Sequence, residues 1–249
     1  METYRQISEI GKNKCNQHLG KQLLSSMLSG AFIGFGATCS FRVGGMLEDT
    51  NLGLKRLVMG LFGLPIGLML IVLCETQLFT GNTSFYTISI IEKKIKILRT
   101  LISLLIIYIG NLIGSILFAF LIYGSSILEN NKEVLVISQK KVDGSWFSTF
   151  IKGLLCNWFV CLSLWQAVKA KNVFGKAVGI YPTIAGFVAL GFEHSVANMY
   201  IIPQGIIMGS NVTILDFILY NLIPVTIGNF LSGVLFVGLV FGILHKTSD

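Results

Sequence analysis

Six apolar stretches recur along the 249-residue chain, separated by shorter polar segments. A helix needs roughly 20 apolar residues to cross the hydrocarbon core of a bilayer, so each stretch predicts one transmembrane helix. The pattern predicts a single all-α integral membrane domain over residues 1–249. The six predicted spans cover residues 23–45, 57–74, 98–122, 147–168, 177–192 and 217–244.

Composition and charge support this class and suggest an orientation. The chain is 53% apolar and only 12% charged, far from the balance of soluble globular proteins. A net charge of +7 would suggest a nucleic-acid partner for a soluble protein, but here lysines and arginines concentrate before the first span, between spans two and three, and between spans four and five. By the positive-inside rule, this distribution predicts cytoplasmic N- and C-termini. The cell (plasma) membrane is the default location for such a multi-pass protein, and no nucleic-acid partner is expected.

The remaining segments carry few signals of their own. Residues 1–21 contain no apolar core and no small-residue cleavage pattern, so they are expected to form an exposed cytoplasmic helix or tail rather than a signal peptide. The five cysteines form no CxxC pair, and four lie within or beside predicted spans. Neither a disulfide framework nor a metal site is therefore expected.

The two halves of the chain contain matching motifs. YIGNLIGSILF at 108–118 matches TIGNFLSGVLF at 226–236, and the same shift aligns CETQLFT at 74–80 with FEHSVAN at 192–198. Two matches in one register predict duplicated halves, residues 22–123 and 146–244. Because each half has three spans, the second half must enter the membrane from the opposite side. The aligned pairs are Glu75 with Glu193, Thr76 with His194, and Thr80 with Asn198.

Polar residues are expected to break the second and fifth helices. In TGNTS, residues 80–84, Gly81 and Asn82 favour turns, and HSVAN, residues 194–198, is similarly polar. Broken helices at membrane depth are tolerated where the freed backbone groups are buried in protein or line a cavity. The two breaks therefore predict a pore between the two halves.

Four longer motifs identify a family. LFTGN at 78–82, LLCNWFVCLSLW at 154–165, GFEHSVANMYIIPQGI at 191–206 and NLIPVTIGNFLSG at 221–233 closely resemble the formate/nitrite transporter family, and the resemblance covers nearly the whole chain. It implies an aquaporin-like six-helix protomer with inverted three-helix repeats, assembled as a homopentamer in the lipid bilayer. It also implies transport of formate, or of nitrite, lactate or hydrosulfide, as anions or weak acids together with protons, without a cofactor.

The resemblance assigns roles to polar residues of the pore. His194 matches a central pore histidine, and Thr80 matches the threonine that faces it. An imidazole can donate a hydrogen bond to a passing anion or protonate it, although the proton could also come from water through Thr80, and a histidine that only bridges two helices is a further alternative. Lys141 and Asn198 match a vestibule pair, in which the lysine attracts anions and the asparagine supplies amide donors.

Further residues are expected to form constrictions and to support the breaks. Such apolar constrictions exclude hydrated ions and pass a neutral small acid. Glu193 and Asn157 match family residues that bond the backbone at a broken helix. Where the family has an acid, this chain has Gln77, and we hypothesise that Glu75 caps the same break instead. Leu68, Leu78 and Phe79 match the family's inner hydrophobic constriction, and Phe187 matches the outer one.

Two other functions are weighed against a weak-acid channel. An intramembrane enzyme with Glu193 and His194 as acid and base is disfavoured, because adjacent helical residues point in different directions and the sequence has no HExxH or GxSxG motif. A channel of the aquaporin type for water or small neutral solutes suits the same fold, although the sequence has no NPA motif. High water flux without acid transport would favour this second alternative.

Overall fold

Every regular element in the described part of the chain is helical. The computed structural model describes residues 2–47 and 51–246. The last helix contains two π-helical stretches, Phe217–Leu222 and Gly233–Leu239. The helices are α1 (Glu2–Asn16), α2 (Leu19–Val43), α3 (Leu52–Leu61), α4 (Leu64–Leu73), α5 (Phe79–Ile91), α6 (Ile97–Gly124), α7 (Lys132–Val142), α8 (Trp146–Lys169), α9 (Val173–Ala189), α10 (Ser195–Ile207) and α11 (Ile214–His245).

Five helical units of the described chain are long and apolar enough to cross a membrane. They are α2, the α3–α4 unit (Leu52–Leu73), α6, α8 and α11, and each contains or overlaps a predicted span. The remaining predicted span, 177–192, corresponds to α9, an apolar helix of 17 residues. An all-helical architecture with five to six apolar helices is thus confirmed.

The α3–α4 unit contains a bend where no break is predicted from the sequence. Gly63 separates the two helices, with φ −131° and ψ −126°, and Pro65 lies in the first turn of α4. Proline is tolerated in a first turn because the N–H that it lacks would have no partner within the helix. The bend places Leu64, the first residue of α4, among buried residues of the core.

Two helices stop inside the protein and restart after a short non-helical segment. Residues 74–78 separate α4 from α5, and residues 190–194 separate α9 from α10. The second segment overlaps the predicted break at 194–198 only at His194. Both short helices that follow, α5 and α10, are 13 residues long.

The helices before both interruptions end in the same way. Glu75 has φ 54° and Gly191 has φ 71°, so both adopt the left-handed conformation. The backbone N–H of the next residue, Thr76 or Phe192, donates to the carbonyl five residues earlier. This pattern is typical of a helix C-terminus, where glycine is favoured because other residues are strained at positive φ.

The predicted break at residues 80–84 is wrong, because these residues form the first turns of α5. The hydroxyls of Thr83 and Ser84 donate to carbonyls three residues earlier in the same helix, at 2.6 and 3.0 Å. The Asn82 amide reaches back to the Gln77 side chain, at 2.7 Å. These polar groups therefore bond within the helix and to its start, rather than ending it.

Asn111 of α6 holds the first interruption to the rest of the bundle. Its Oδ1 accepts the backbone N–H of Phe79 at 2.9 Å, and its Nδ2 donates to the carbonyl of Gln77 at 3.0 Å. The same nitrogen donates to the carbonyl of Ser26 in α2 at 2.8 Å. Buried backbone groups without a partner are costly, so these contacts of Asn111 stabilise the interruption.

Asn229 of α11 makes the same contacts at the second interruption. Its Oδ1 accepts the N–H of Ser195 at 2.8 Å, and its Nδ2 donates to the carbonyls of Glu193 and Gly153, at 3.0 and 2.6 Å. Asn229 and Asn111 occupy the same position in the TIGN and YIGN motifs. The repeated motif thus has a structural reason, which is to satisfy the backbone of a broken helix.

These contacts correct the predicted register between the interruptions by two residues. Phe79 and Asn111 are separated by 32 positions, whereas Ser195 and Asn229 are separated by 34. One shift along the chain therefore cannot align both motifs, and Glu75 does not correspond to Glu193. The equivalent pairs are Glu75 with Gly191, Gln77 with Glu193, Leu78 with His194, Phe79 with Ser195, and Asn82 with Asn198.

The N-terminal segment forms a helix, but one that is only partly exposed. Helix α1 packs against α5, α6, α8 and α11. The Tyr4 hydroxyl donates to Glu92 at 2.8 Å, and Lys94 lies 2.8 Å from Glu9. These contacts hold α1 against the end of α5 that is remote from the interruption. Its buried residues are Tyr4, Ile7, Ser8, Gly11 and Cys15.

Candidate pore

The two interruptions meet at a hydrogen bond between Thr80 and His194. Thr80 Oγ1 and His194 Nε2 are 2.9 Å apart, and both side chains are buried. Thr80 lies in the first turn of α5, and His194 immediately precedes α10. Helix N-termini carry partial positive charge, so this junction combines hydrogen-bonding groups with a positive potential.

The other ring nitrogen of His194 fixes the tautomer. His194 Nδ1 accepts the backbone N–H of Ala197 at 3.1 Å and thereby caps α10. A nitrogen that accepts a hydrogen bond carries no proton, so the neutral ring carries its proton on Nε2. His194 therefore donates to Thr80 Oγ1, and the hydroxyl hydrogen of Thr80 remains available for another acceptor.

A small apolar cavity adjoins this hydrogen bond. Its volume is about 10 Å³, room for about one water molecule. Of the four expected constriction residues, Leu68, Leu78 and Phe187 line it, while Phe79 packs edge to face on Tyr108 with ring centroids 4.9 Å apart. The complete lining is Ile33, Leu64, Leu68, Leu78, Val160, Ile184, Phe187 and His194.

A larger cavity of about 400 Å³, here named the vestibule, shares three lining residues with the small cavity. Leu64, Phe187 and His194 line both cavities and form the boundary between them. The charged residues that line the vestibule are Lys55, Arg56, Lys140, Lys141, Lys152, Glu133 and Glu193.

Lys141 lines the vestibule as expected, but its charge is compensated. Its ammonium lies 2.9 Å from Glu193 Oε2, and both side chains are largely buried. The same carboxylate oxygen accepts amide hydrogens from Asn198 at 2.6 Å and Asn221 at 3.4 Å. Glu193 was expected to bond backbone at the break, and instead its carboxylate binds three side chains.

Asn198 differs from the expected amide donor to the vestibule. Its Nδ2 donates to Glu193 Oε2 and to Asn221 Oδ1, at 2.6 and 2.7 Å, so both amide hydrogens are used. Its Oδ1 is buried without a hydrogen-bond partner among the described residues. The free group of Asn198 is therefore an acceptor.

Asn221 is a residue of this network that the sequence analysis does not single out. It lies in the first π-helical stretch of α11 and is fully buried. Its Nδ2 donates to the Lys141 carbonyl at 2.7 Å, which fixes its amide orientation and, through it, that of Asn198. The only sequence signal is its place in the NLIPVTIGNFLSG motif, which assigns it no partner.

Asn157 of α8 bonds backbone groups beside the Thr80–His194 junction. Its Nδ2 lies 3.2 Å from the carbonyl of Thr80 and 2.6 Å from the carbonyl of Asn229. Asn157 thus bonds backbone in the first turn of α5 and in α11, which links Thr80 to the second half of the chain. Cys161 Sγ, one turn further along α8, lies 3.8 Å from the same Thr80 carbonyl.

Lys14 of α1 is a second residue that the sequence analysis does not single out. Its ammonium donates to the carbonyl of Thr76 at 2.7 Å, beside the first interruption. Its own carbonyl accepts from the Gln77 side chain at 3.2 Å, much as the Lys141 carbonyl accepts from Asn221. One lysine therefore contacts each interruption. Lys14 lies on α1, directly before the long helix α2, and Lys141 lies on α7, directly before the long helix α8.

Gln77, rather than Glu75, supports the first interruption. Gln77 is fully buried, and its side chain accepts from Asn82 and donates to the Lys14 carbonyl and to Gln17. Glu75 is exposed and makes no hydrogen bond to any described residue. The structure thus contradicts the hypothesis that Glu75 caps this break, because its exposed side chain makes no hydrogen bond there to a described residue.

The charged and sulfur-containing residues do not gather into a metal site. In the described ranges, no three His, Cys, Asp or Glu residues lie close enough to hold an ion. The five cysteines are free thiols, of which Cys15, Cys156 and Cys161 are buried.

Comparisons with known proteins identify one family. The family model described as formate/nitrite transporter matches residues 1–243. A "Probable formate transporter" of Methanothermobacter thermautotrophicus is 35% identical over 260 residues, an alignment that covers 96% of this chain and 94% of the relative.

Two solved structures share the fold. An "FNT family ion channel" superposes with a TM-score of 0.88 at 31% identity, covering 98% of both chains. A "Pentameric formate channel with formate bound" superposes with a TM-score of 0.81 at 28% identity, covering 92% of this chain and 98% of the other. The interrupted helices that meet at Thr80 and His194 are thus those of a multi-pass membrane channel, and the chain belongs to the formate/nitrite transporter family.

Proposed function

We propose that this chain is one subunit of a homopentameric channel that passes a small monovalent weak acid, formate first, through a pore within each subunit. The observation that carries the proposal is the Thr80–His194 hydrogen bond at an apolar cavity of about 10 Å³. Nitrite, lactate and hydrosulfide remain alternative substrates. The similarity to a pentameric formate channel with formate bound supports both the assembly and the substrate.

The cavity favours the neutral acid over the bare anion. Apart from His194, its lining is apolar, and a carboxylate moved out of water into such surroundings loses several kcal/mol of solvation or more. The conjugate acid loses much less, because it carries no net charge. We therefore propose that the anion enters the vestibule and crosses the boundary formed by Leu64, Phe187 and His194 after it has gained a proton.

The geometry of His194 favours solvent as the source of that proton. Protonation of Nδ1 would place an N–H against the N–H of Ala197 and break the cap of α10. In this proposal His194 stays neutral and donates to Thr80, while the Thr80 hydroxyl hydrogen is directed to the substrate. The proton itself enters with the anion from water in the vestibule, and the buried Oδ1 of Asn198 offers an acceptor for the acid O–H.

The same proposal includes an aquaporin-like protomer built from inverted repeats, residues 22–123 and 146–244, preceded by the segment 1–21. The equivalent contacts of Asn111 and Asn229 support the repeat. A hydrogen bond of 2.9 Å also joins Tyr108 to Thr226, which are equivalent positions of the YIGN and TIGN motifs. Equivalent residues touch only near a two-fold axis, so this bond marks its proposed position. Both termini are proposed to be cytoplasmic, with the vestibule on the outer side.

Uptake of labelled formate into proteoliposomes across an inward proton gradient tests the proposal. Wild type should take up formate, and His194→Phe should lose most of the uptake because the Thr80 hydroxyl loses the donor that directs its hydrogen to the substrate. His245→Phe is the matched control, since His245 stacks on Trp165 outside the pore and phenylalanine keeps that stacking. Lactate, nitrite and hydrosulfide added as competitors rank the substrates.

Two results would contradict this function. If wild type carried none of these acids but conducted water rapidly, the chain would be a water channel of the aquaporin type. If His194→Phe and His245→Phe lost uptake equally, the histidine at the junction would have only a structural role.

A further inference from the structure

We propose that Thr83 is a positioning residue that holds Thr80 in place at the junction with His194. The Thr83 hydroxyl fixes the first turn of α5, so that the Thr80 side chain meets His194 Nε2. The inference rests on the proposed function, in which the Thr80 hydroxyl hydrogen is directed to the substrate. Thr83 is buried and lines neither of the two cavities, so it acts through Thr80 and does not touch the substrate.

The backbone carbonyl of Thr80 is contacted by three buried side chains. The Thr83 hydroxyl donates to it at 2.6 Å, whereas Asn157 Nδ2 and Cys161 Sγ lie 3.2 and 3.8 Å away. Asn157 Nδ2 also lies 3.3 Å from Thr83 Oγ1, so these two side chains support one another. The contact from Thr83 is the shortest of the three, and we therefore assign it the main part in holding the turn.

Gly233 of α11 leaves room for this contact. It begins the second π-helical stretch of α11, which packs against α5. A Cβ at Gly233 would overlap the Thr83 hydroxyl and would lie 3.0 Å from Asn157 Nδ2. Glycine at this position thus lets α11 approach closely enough for Thr83 and Asn157 to meet at the Thr80 carbonyl.

The short helix of the second half has no such hydroxyl bond. Because the start of α5 at Phe79 is equivalent to the start of α10 at Ser195, Thr83 corresponds to Met199. Methionine has no hydroxyl, yet α10 forms a short helix of the same length as α5. The contacts at the Thr80 carbonyl are therefore not required to fold a short helix, and we assign them to the position of Thr80 itself.

The helices that pack beside the two interruptions show the same difference. Asn157 of α8 corresponds to Gly30 of α2, because each lies four residues after the carbonyl that accepts from the motif asparagine. Gly233 of α11 corresponds to Ser115 of α6, four residues after that asparagine. A Cβ at Gly30 would lie 2.9 Å from Ser115 Oγ. Each half therefore packs a glycine against a polar residue, but only in the second half does the polar side chain reach the Thr80 carbonyl.

Two substitutions separate the Thr83 hydroxyl from the packing of its side chain. Thr83→Val keeps the shape and removes the hydroxyl, whereas Thr83→Ser keeps the hydroxyl. We expect Thr83→Val to lower the maximal rate of formate uptake into proteoliposomes by about 3 to 10 times, the effect of one lost hydrogen bond, and Thr83→Ser to stay within about twofold of wild type. In a Thr80→Val background, Thr83→Val should have no further effect, because the hydroxyl through which Thr83 acts is absent.

The imidazole nitrogen chemical shifts of His194, measured by NMR on histidine-labelled protein in lipid, give a readout independent of transport. The shift of Nε2 should move in Thr83→Val and in Gly233→Ala, because the hydrogen bond to Thr80 changes, and should keep its wild-type value in Thr83→Ser. Gly124→Ala is the matched control for Gly233→Ala, since a Cβ at Gly124 would have no neighbour within 4 Å among the described residues.

Several outcomes would overturn the inference. An unchanged Nε2 shift in Thr83→Val is one, and unchanged uptake by that variant is another. An equal fractional loss of uptake with and without Thr80→Val would show that Thr83 acts through packing alone, and the chemical shift decides if Thr80→Val has no measurable uptake. If the Nε2 shift moves as expected but wild type carries no weak acid, the positioning role stands and the proposed function is rejected.

Discussion

His194 uses its two ring nitrogens for two different purposes. Nδ1 caps α10 through the N–H of Ala197, and Nε2 contacts Thr80 in the facing half. A side chain fixed at both nitrogens cannot rotate freely, so the polar group at the junction of the two interruptions is preorganised. In the proposed function the imidazole stays neutral and orients the Thr80 hydroxyl toward a passing acid, without a charge that would bind the anion tightly.

The contrast between Gln77 and Glu75 gives a prediction at the scale of single residues. Gln77→Ala removes the acceptor for Asn82 and the donor to the Lys14 carbonyl, and leaves buried groups unpaired. We expect a loss of about 1–3 kcal/mol in the free energy of unfolding and less assembled protein. The measurement is thermal unfolding in detergent, combined with size-exclusion chromatography.

Glu75→Gln is the control for this change. Glu75 is exposed, so its substitution should change the free energy of unfolding by less than about 0.5 kcal/mol. Loss of assembly in Glu75→Gln together with a stable Gln77→Ala would contradict the contacts described at the first interruption.

Which residues meet at the junction of the two interruptions could be predicted, but not how each one is bonded. His194, Thr80 and Asn157 were found from motifs, and their contacts agree with the expected neighbourhood. The pairing of Lys141 with Glu193 and the orientation of the Asn198 amide depend on Asn221, which is 80 residues from Lys141 in the chain. No local pattern encodes such a distant bond.

At the scale of elements, the two short helices α5 and α10 were harder to predict than the long ones. Both are only 13 residues long, and α5 contains TGNTS, so neither has the length or apolarity of a membrane span. Several of their polar side chains bond within the short helix or across the junction, and Asn111 and Asn229 satisfy backbone groups where each short helix begins. These contacts exist only in the folded chain. Hydropathy therefore predicts the long apolar helices, but it does not predict where the short helices α5 and α10 begin.

The docking of α1 gives a prediction with a pH dependence. Burial lowers the pKa of Lys14 to about 8, and the nearby charge of Glu75 opposes this shift. Between about pH 8 and the ordinary lysine value of 10.5, the unfolded chain binds more protons than the folded one. Stability contributed by this site should therefore rise with pH in that window.

Thermal unfolding at pH 7.5, 8.5 and 9.5 tests this expectation. The midpoint of wild type should rise relative to that of Lys14→Met, which cannot titrate. Lys21→Met, a change at an exposed lysine of α2, should keep the wild-type pH dependence. An identical pH dependence in wild type and Lys14→Met would show that the surroundings of Lys14 in the folded chain do not lower its pKa. Measurements should stay below pH 10, because burial and the Glu92 carboxylate raise the pKa of Tyr4, whose ionisation acts in the opposite direction.

For the whole molecule, the sequence predicted the number of apolar helices and the family more reliably than the register of the repeat. Apolar length is a local property, and five of the six predicted spans contain or overlap long apolar helices. The register failed because the second half has two more residues between the interruption and its asparagine than the first half has. A single alignment shift cannot represent such a difference.

The whole-molecule account is that an apolar boundary makes the channel pass neutral acid. Its most direct test is formate uptake by wild-type proteoliposomes in which the pH gradient and the membrane potential are imposed separately. The account predicts uptake that follows the inward proton gradient and does not change with membrane potential, because anion and proton cross together without net charge. Uptake that follows the membrane potential and ignores the proton gradient would contradict it, since the bare anion would then be the species that crosses the cavity between Leu68, Phe187 and His194.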